Sequence, residues 1–488
     1  MGTVIAKKQT LTPDRRIESR TPRSNDMVKE TASLKTASYL SALLISLFLF
    51  FPCASFAGDF NGETEFSHRV LPGESLSKIA RLYLPLTEAY TIRDLVRKIQ
   101  ERNGLTGTKI RPNQRLLIPL VRSTPVVSKT VPKGRDFEAK GIYVNRYSMA
   151  CRKMNRLLHA LIGLGGNTVI LDGKDMSGRL SYPSRVDLAR EIGANTNPSV
   201  ADPVKLFHDL HRKGIHVGIR IVLFYDPLLA AERPDLAVRS LTSGGPWMEN
   251  GKPAWVDPSH PIVQKYNLDV ARELAQMGVD EIQFDYIRFP TEGNVQDAGF
   301  GFDEHMIPKH QVITEFLARA RRELAPYEVL LSIDVFGVMG WSRPEDIRMT
   351  GQKIEDLAHH CDIISPMIYP SHFYGPFESI TNPGDHPFFF VSETCRRFSL
   401  LLQDKQVTLR PWIQAFPFGT STFSEGYILE ELRALSQSKT IGWLFWSAGN
   451  AYGVAWKALD QWNNGDLKQE TIETHFSLLD EASRELIE

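Results

Sequence analysis

Asp285 and Asp334 are the two side chains in this sequence best placed to do chemistry together. Each closes a short apolar run, EIQFD at 281–285 and LLSID at 330–334. A carboxylate at the tip of a buried strand is costly to desolvate unless it is paired or used. Neighbouring strands run about 4.8 Å apart, so two such groups can divide one task. One attacks, while the other, kept protonated, gives up its proton and later activates water. Retaining glycosidases divide the work this way, with carboxyl groups roughly 5–5.5 Å apart. Asp285 is cast as nucleophile and Asp334 as acid/base, with Asp172 in reserve for either role. The alternative is structural: Asp285 pairs with Arg288 or Arg220 and merely fixes the strand end.

Eight strand-like runs must position these groups, at 141–145, 168–172, 216–224, 281–285, 329–335, 363–369, 409–416 and 441–447. Helical patterns alternate with them at 152–164, 203–213, 262–277, 311–324, 354–360, 388–402, 426–438 and 454–462. This α/β alternation predicts a (β/α)8 TIM barrel over 139–463, whose active sites lie at the C-terminal strand ends. A doubly wound open sheet is the rival. It would normally carry a glycine-rich phosphate turn after the first strand, where Asn145-Arg146-Tyr147-Ser148 stands instead.

Strand side chains alternate faces. With Asp285 pointing inward, Gln283 and Glu281 follow, as do Ser332 and Asp334. The same parity turns Tyr143, Asn145, Asp172, Lys174, Arg220, Ser365, Tyr369, Gln414 and Trp446 toward the interior. So polar a lining suits a hydroxyl-rich ligand. Tyr143, Asn145, Lys174, Arg220, Tyr369, Gln414 and Trp446 are therefore candidate substrate contacts, with Tyr286 and Arg288 just past the fourth strand. Aromatic residues crowd these strand ends, among them Trp412 and Phe416. Their faces can stack on the C–H faces of sugar rings.

A separate unit precedes the barrel. HRVLPGESLSKIA (68–80) reads as strand, turn and serine-capped helix, and a second helix over 92–103 leads to a closing strand in NQRLLIP (113–119). With Asn103-Gly104-Leu105 between them, these stretches resemble the LysM module, a small βααβ domain placed here at 66–121. The resemblance implies binding of N-acetylglucosamine-containing polymers, chiefly peptidoglycan. Residues 84–91 are an insertion relative to that module and are expected to reshape its groove. Residues 122–138, opening RSTPVVSKTVPKGR, read as an extended tether.

A second resemblance covers 139–460. WVDPSHP (255–261), YNLDVAREL (266–274) and GVDEIQFDYIRFP (278–290) are similar to the core signature of a family of barrel glycoside hydrolases. GIYVN, SIDVFG, SPMIYP and GWLFWS look like its other strands. The resemblance implies a hydrolase distantly related to α-glycosidases. Related barrels often carry glutamate where Asp334 stands.

The 488 residues balance 57 Lys and Arg against 57 Asp and Glu, and the zero net charge argues against a nucleic-acid partner. The apolar run SYLSALLISLFLFF (38–51), preceded by Lys29 and Lys35 and followed by Ser55-Phe56-Ala57, reads as a secretory signal within a leader of 1–57. Met27 is a second candidate start, and Cys53 a candidate lipidation site. Export to the periplasm, envelope or medium is expected. Cleavage after Ala57 would leave Cys151, Cys361 and Cys395, too odd a set for a disulfide framework. The tail over 464–488 is charged. No HExxH run, phosphate cradle or GxSxG occurs, so neither metal nor cofactor is expected, and the chain is expected to be a monomer. Three functions stay open: a hydrolase of an envelope or exopolysaccharide glycan, a wall-binding barrel without catalysis, and a metal-dependent polysaccharide deacetylase.

Overall fold

Two hydroxyl caps start the helices of the small N-terminal unit. Ser75 accepts from the Lys78 N–H and opens α1 (Leu76–Tyr83), and Thr91 accepts from Asp94 and opens α2 (Ile92–Arg102). Both helices pack on an antiparallel pair, β1 (Thr64–Arg69) and β2 (Arg115–Val121). Leu76, Ile79, Leu95, Ile99, Leu116 and Ile118 form its core. Asn103 pins the second helix to the sheet through the Leu117 N–H and C=O. The computed structural model describes residues 64–121 and 134–465. The expected leader, most of the tether and nearly all of the tail lie outside the described residues.

The alternating pattern after residue 139 closes into a barrel of eight parallel strands. These are β3 (Ala139–Val144), β4 (Thr168–Lys174), β5 (His216–Val222), β6 (Glu281–Asp285), β7 (Leu330–Phe336), β8 (Ile363–Ile368), β9 (Trp412–Gln414) and β10 (Gly442–Trp446). Each pairs with the next, and β10 returns to β3 with Gly442 opposite Ala139. An extra two residues, Thr408–Leu409, pair with β8 before Arg410 and Pro411 interrupt the run that the sequence suggested was continuous.

Eight helices cover the wall: α3 (Arg152–Gly163), α4 (Pro203–Arg212), α5 (Pro261–Gln276), α6 (Lys309–Leu324), α7 (Ile354–Leu357), α8 (Pro387–Leu401), α9 (Glu425–Ser436) and α10 (Gly453–Asn464). Asp202 before Pro203 is a strong start signal, its side chain accepting from the Lys205 N–H. The helix expected over 354–360 is a single turn, because a separate helix (Pro344–Thr350) uses the preceding chain and ends at Gly351 in the left-handed conformation. Among the described residues no helix is long and apolar enough to cross a membrane, and Cys151, Cys361 and Cys395 are free thiols.

On β6 and β7, strand parity sorts the side chains as expected. Ile282, Phe284, Leu331 and Ile333 meet the helices, while Tyr143, Ile170, Tyr369, Trp412 and Leu444 form a separate inner cluster. At the N-terminal end, Glu281 is completely buried and accepts from Arg410, His216 and Ser332.

One buried acid lies behind the wall rather than inside it. Glu431 on α9 accepts from the Gln414 N–H at 2.9 Å, and its second oxygen finds no partner. Burial pushes its carboxyl well above the usual range. A folded-state value above the unfolded one stabilises the fold below pH ~4.5 and loses that contribution as pH rises. Glu431→Gln should therefore raise the melting temperature at pH 8, by roughly 1–3 kcal/mol in stability, and the gain should vanish near pH 4. Equal melting curves at both pH values would contradict this.

Candidate active site

Arg220 organises the C-terminal mouth of the barrel. From β5 its guanidinium donates to Asp285 at 2.8 Å through Nε and lies 2.7 Å from the same oxygen through Nη2. Nη1 reaches Asp172 on β4 at 2.8 Å. Asp172 also accepts from the Tyr143 hydroxyl at 2.6 Å. Below 5% of each of Arg220, Asp172, Asp285 and Asp334 is exposed, so the charges interact with little screening. Burial alone works against the Arg220 charge. The Asp285 and Asp172 carboxylates outweigh it and hold the guanidinium charged well beyond its ordinary range. Tyr143 and Trp446 stack at 4.1 Å, with the guanidinium 5.5 and 5.1 Å from their rings.

Asp285 is also held from its own backbone. Its other oxygen accepts from the Tyr286 N–H at 2.6 Å. Tyr286 has φ +51°, a left-handed conformation that a bulky residue adopts only under constraint. Tyr225 and Trp255 pack on the Tyr286 ring and supply that constraint. The strained turn thus fixes the carboxylate at the strand end.

Asp334 occupies the next strand at the same level. Ile333 lies opposite Phe284, so the following residues, Asp334 and Asp285, face each other across one strand spacing. A single Asp334 oxygen accepts from Gln283 at 2.8 Å and Trp412 Nε1 at 2.7 Å. Burial, and then the Asp285 charge, push its carboxyl well above the usual carboxylate range, against the pull of the Trp412 bond. Burial also raises Asp172, with Arg220 opposing. The mouth therefore holds one carboxylate bound to a guanidinium beside one biased toward the acid form.

The structure gathers Tyr143, Asp172, Arg220, Tyr369 and Trp446 around these two groups. Tyr369 is buried with its hydroxyl unpartnered, and so is Ser365 on the same strand face. Burial, and then the Asp334 and Asp285 charges, push the Tyr369 phenol well above its ordinary range. Gln414 lies at the edge, accepting from Ser371 and donating to the Phe416 and Phe418 carbonyls, where it shapes a loop.

Other expected contacts stand elsewhere. Lys174 does not point into the barrel. A bulge between Asp172 and Lys174 shifts the register, and the Lys174 ammonium turns outward to Asp226 at 2.9 Å, Asn267 at 2.7 Å and the Tyr266 ring. Gly173 makes the bulge possible, because a Cβ there would lie 2.5 Å from Ile219. Asn145 caps the short turn after β3, accepting from the Ser148 N–H and donating to the Ala448 carbonyl. Arg288 leaves Asp285 to Arg220; its guanidinium lies 4.9 Å from the Trp255 and Tyr286 rings and 4.4 Å from Phe336. Trp412 and Gln283 lie outside the set of expected site residues, yet both hold Asp334. Their parity with Gln414 and Asp285 was the available signal.

Solved structures with a similar trace include a hypothetical protein from Ruminiclostridium thermocellum, 34% identical over 40% of this chain and 97% of that one, with a TM-score of 0.36. The PgaB (BpsB) glycoside hydrolase domain of Bordetella bronchiseptica is 14% identical over 66% of this chain and 97% of its own, TM-score 0.46. The spore cortex-lytic enzyme SleL of Bacillus megaterium is 11% identical over 81% and 85%, TM-score 0.40. Comparison with curated proteins finds no match. Residues 68–119 match the LysM domain. Residues 141–452, most of the chain, match the family described as "Putative glycosyl hydrolase domain", and the protein belongs to that glycosidase family.

Proposed function

We propose that the barrel cleaves a glycosidic bond of an envelope or exopolysaccharide glycan by a retaining, two-carboxylate route. The observation that carries this reading is the pairing of unlike environments on adjacent strands: Asp285 bound to Arg220, and buried Asp334 pushed toward its acid form. Opposed environments are how one site keeps a base and an acid at the same pH. Asp285 attacks the anomeric carbon as Asp334 protonates the departing oxygen, giving a glycosyl-enzyme ester and a free alcohol. Asp334, now ionised, then takes a proton from water, whose oxygen displaces Asp285 and restores both groups. The Tyr143–Trp446 stack offers a sugar-sized face, and the Tyr369 hydroxyl a donor.

The LysM domain fits a role in holding the protein on an N-acetylglucosamine-containing polymer such as peptidoglycan. Together with the expected leader, this supports a reaction outside the cytoplasm, at the wall. The test is a panel of wall and capsular glycans incubated with the purified chain, with the first-formed anomer read by NMR. Retention of configuration is expected. Inversion would remove the covalent step, and binding without turnover on any glycan would leave only a wall-binding barrel.

A further inference from the structure

The insertion at 84–91 sets this LysM domain apart from the pattern it otherwise follows, and its residues face two ways. Ala89 is buried in the LysM core, whereas neighbouring Tyr90 packs against the core of the barrel. Leu84 offers its carbonyl to the Lys205 ammonium on α4. Glu88, 9% exposed, lies 3.7 Å from Arg212 at the other end of that helix. Lys205 is itself 5% exposed. A lysine on the outer face of an outer barrel helix would ordinarily keep its ammonium in water, so its burial needs a cover. That cover is the insertion.

We propose that residues 84–91 are a docking clasp for α4, joining the LysM domain and the barrel into one rigid unit. The contacts span the helix from Lys205 to Arg212, two turns of α4, which fixes orientation as well as proximity. Burial against this helix, with the Asp209 and Asp202 carboxylates near it, pushes the Tyr90 phenol up to about 12. A groove of 660 Å³ runs along the seam, lined by Lys98, Glu101 and Arg102 of one domain and His208 and Arg212 of the other. The insertion thus gains a role beyond the expected reshaping of the LysM groove. On the function proposed above, a glycan strand gripped by LysM would lie at a fixed offset from the barrel mouth rather than at the end of a loose tether.

Spin labels test the docking without any substrate. Full-length Cys53→Ser/Arg111→Cys protein carries one label at 111, on the LysM surface, and one at the exposed Cys151. A single narrow distance distribution is expected by double electron–electron resonance. Tyr90→Ala should broaden it toward the spread of a free 17-residue tether, roughly 20–25 Å. Lys205→Ala, which leaves the LysM sequence intact, should broaden it as well, so a folding defect in the small domain cannot mimic the result. A broad distribution in the parent protein, or a narrow one unchanged in both variants, would overturn the proposal. Neither outcome bears on which bond the barrel cleaves.

Discussion

Asp285→Asn should lower kcat on the true glycan by about 10⁴-fold or more, the usual scale for removing a nucleophile. The amide keeps the size of the carboxylate, but its single oxygen can accept from Arg220 or from the Tyr286 N–H and not from both, since these meet different Asp285 oxygens, so a modest loss of stability accompanies the change. It cannot form the ester intermediate. Arg220 keeps Asp172 as a counter-ion at 2.8 Å, which limits the destabilisation from an orphaned charge. The comparison that decides is therefore kcat against melting temperature: a collapse in turnover with a modest change in stability. Azide should not rescue this variant, because the retained amide fills the position from which an external nucleophile would have to attack the anomeric carbon. It should partly rescue Asp334→Asn on a substrate with a good leaving group, where azide attacks the glycosyl-enzyme directly without needing a base, releases the Asp285 carboxylate and gives a glycosyl azide of retained configuration. If Asp285→Asn turns over at the parent rate, Asp285 is only the structural partner of Arg220, the alternative that the sequence left open.

The sequence revealed the wall of this barrel better than its contents. Period-two alternation in EIQFD and LLSID is a strong signal, because burial on both faces still separates polar inner side chains from apolar outer ones. It placed Asp285 and Asp334 on adjacent strands and Arg220 within reach. Parity fails where the backbone departs from the pleat. At Gly173 a bulge carries Lys174 to the outside, and after Val144 the chain turns early, so that Asn145 serves as a cap. The pairing choices were also beyond one-dimensional reading. Arg220 and Arg288 are equally good partners for Asp285 on paper, and the positive φ at Tyr286, with the aromatic packing around it, belongs to the tertiary structure. Trp412 illustrates the same limit: an aromatic residue on a strand reads as packing until its indole N–H is found on a carboxylate.

Glu281 gives the counterpart at the opposite end of the same strand. Burial alone would raise its carboxyl, but Arg410 and His216 outweigh that and hold it far below the usual range. Glu281→Ala leaves the Arg410 guanidinium, 1% exposed, without its partner, and a buried charge stranded in this way costs about 3–5 kcal/mol. That is a large share of the stability of most domains. The sign of the pH dependence follows from the depressed value. The pair contributes fully above the unfolded carboxyl value near pH ~4.5, and its contribution fades as acid approaches the folded value. Denaturation by urea should therefore separate the parent from Glu281→Ala most at pH 7, with the gap narrowing toward pH 3. Glu281→Leu with Arg410→Met removes both charges and should recover much of the loss, because no ion is then left without a partner. Recovery in the double variant, with activity returning alongside stability, would place Glu281 in the support of the barrel rather than in its chemistry. If the double variant is as unstable as the single one, the loss comes from packing around Ser332 and His216, and the ion pair is not what holds this end closed.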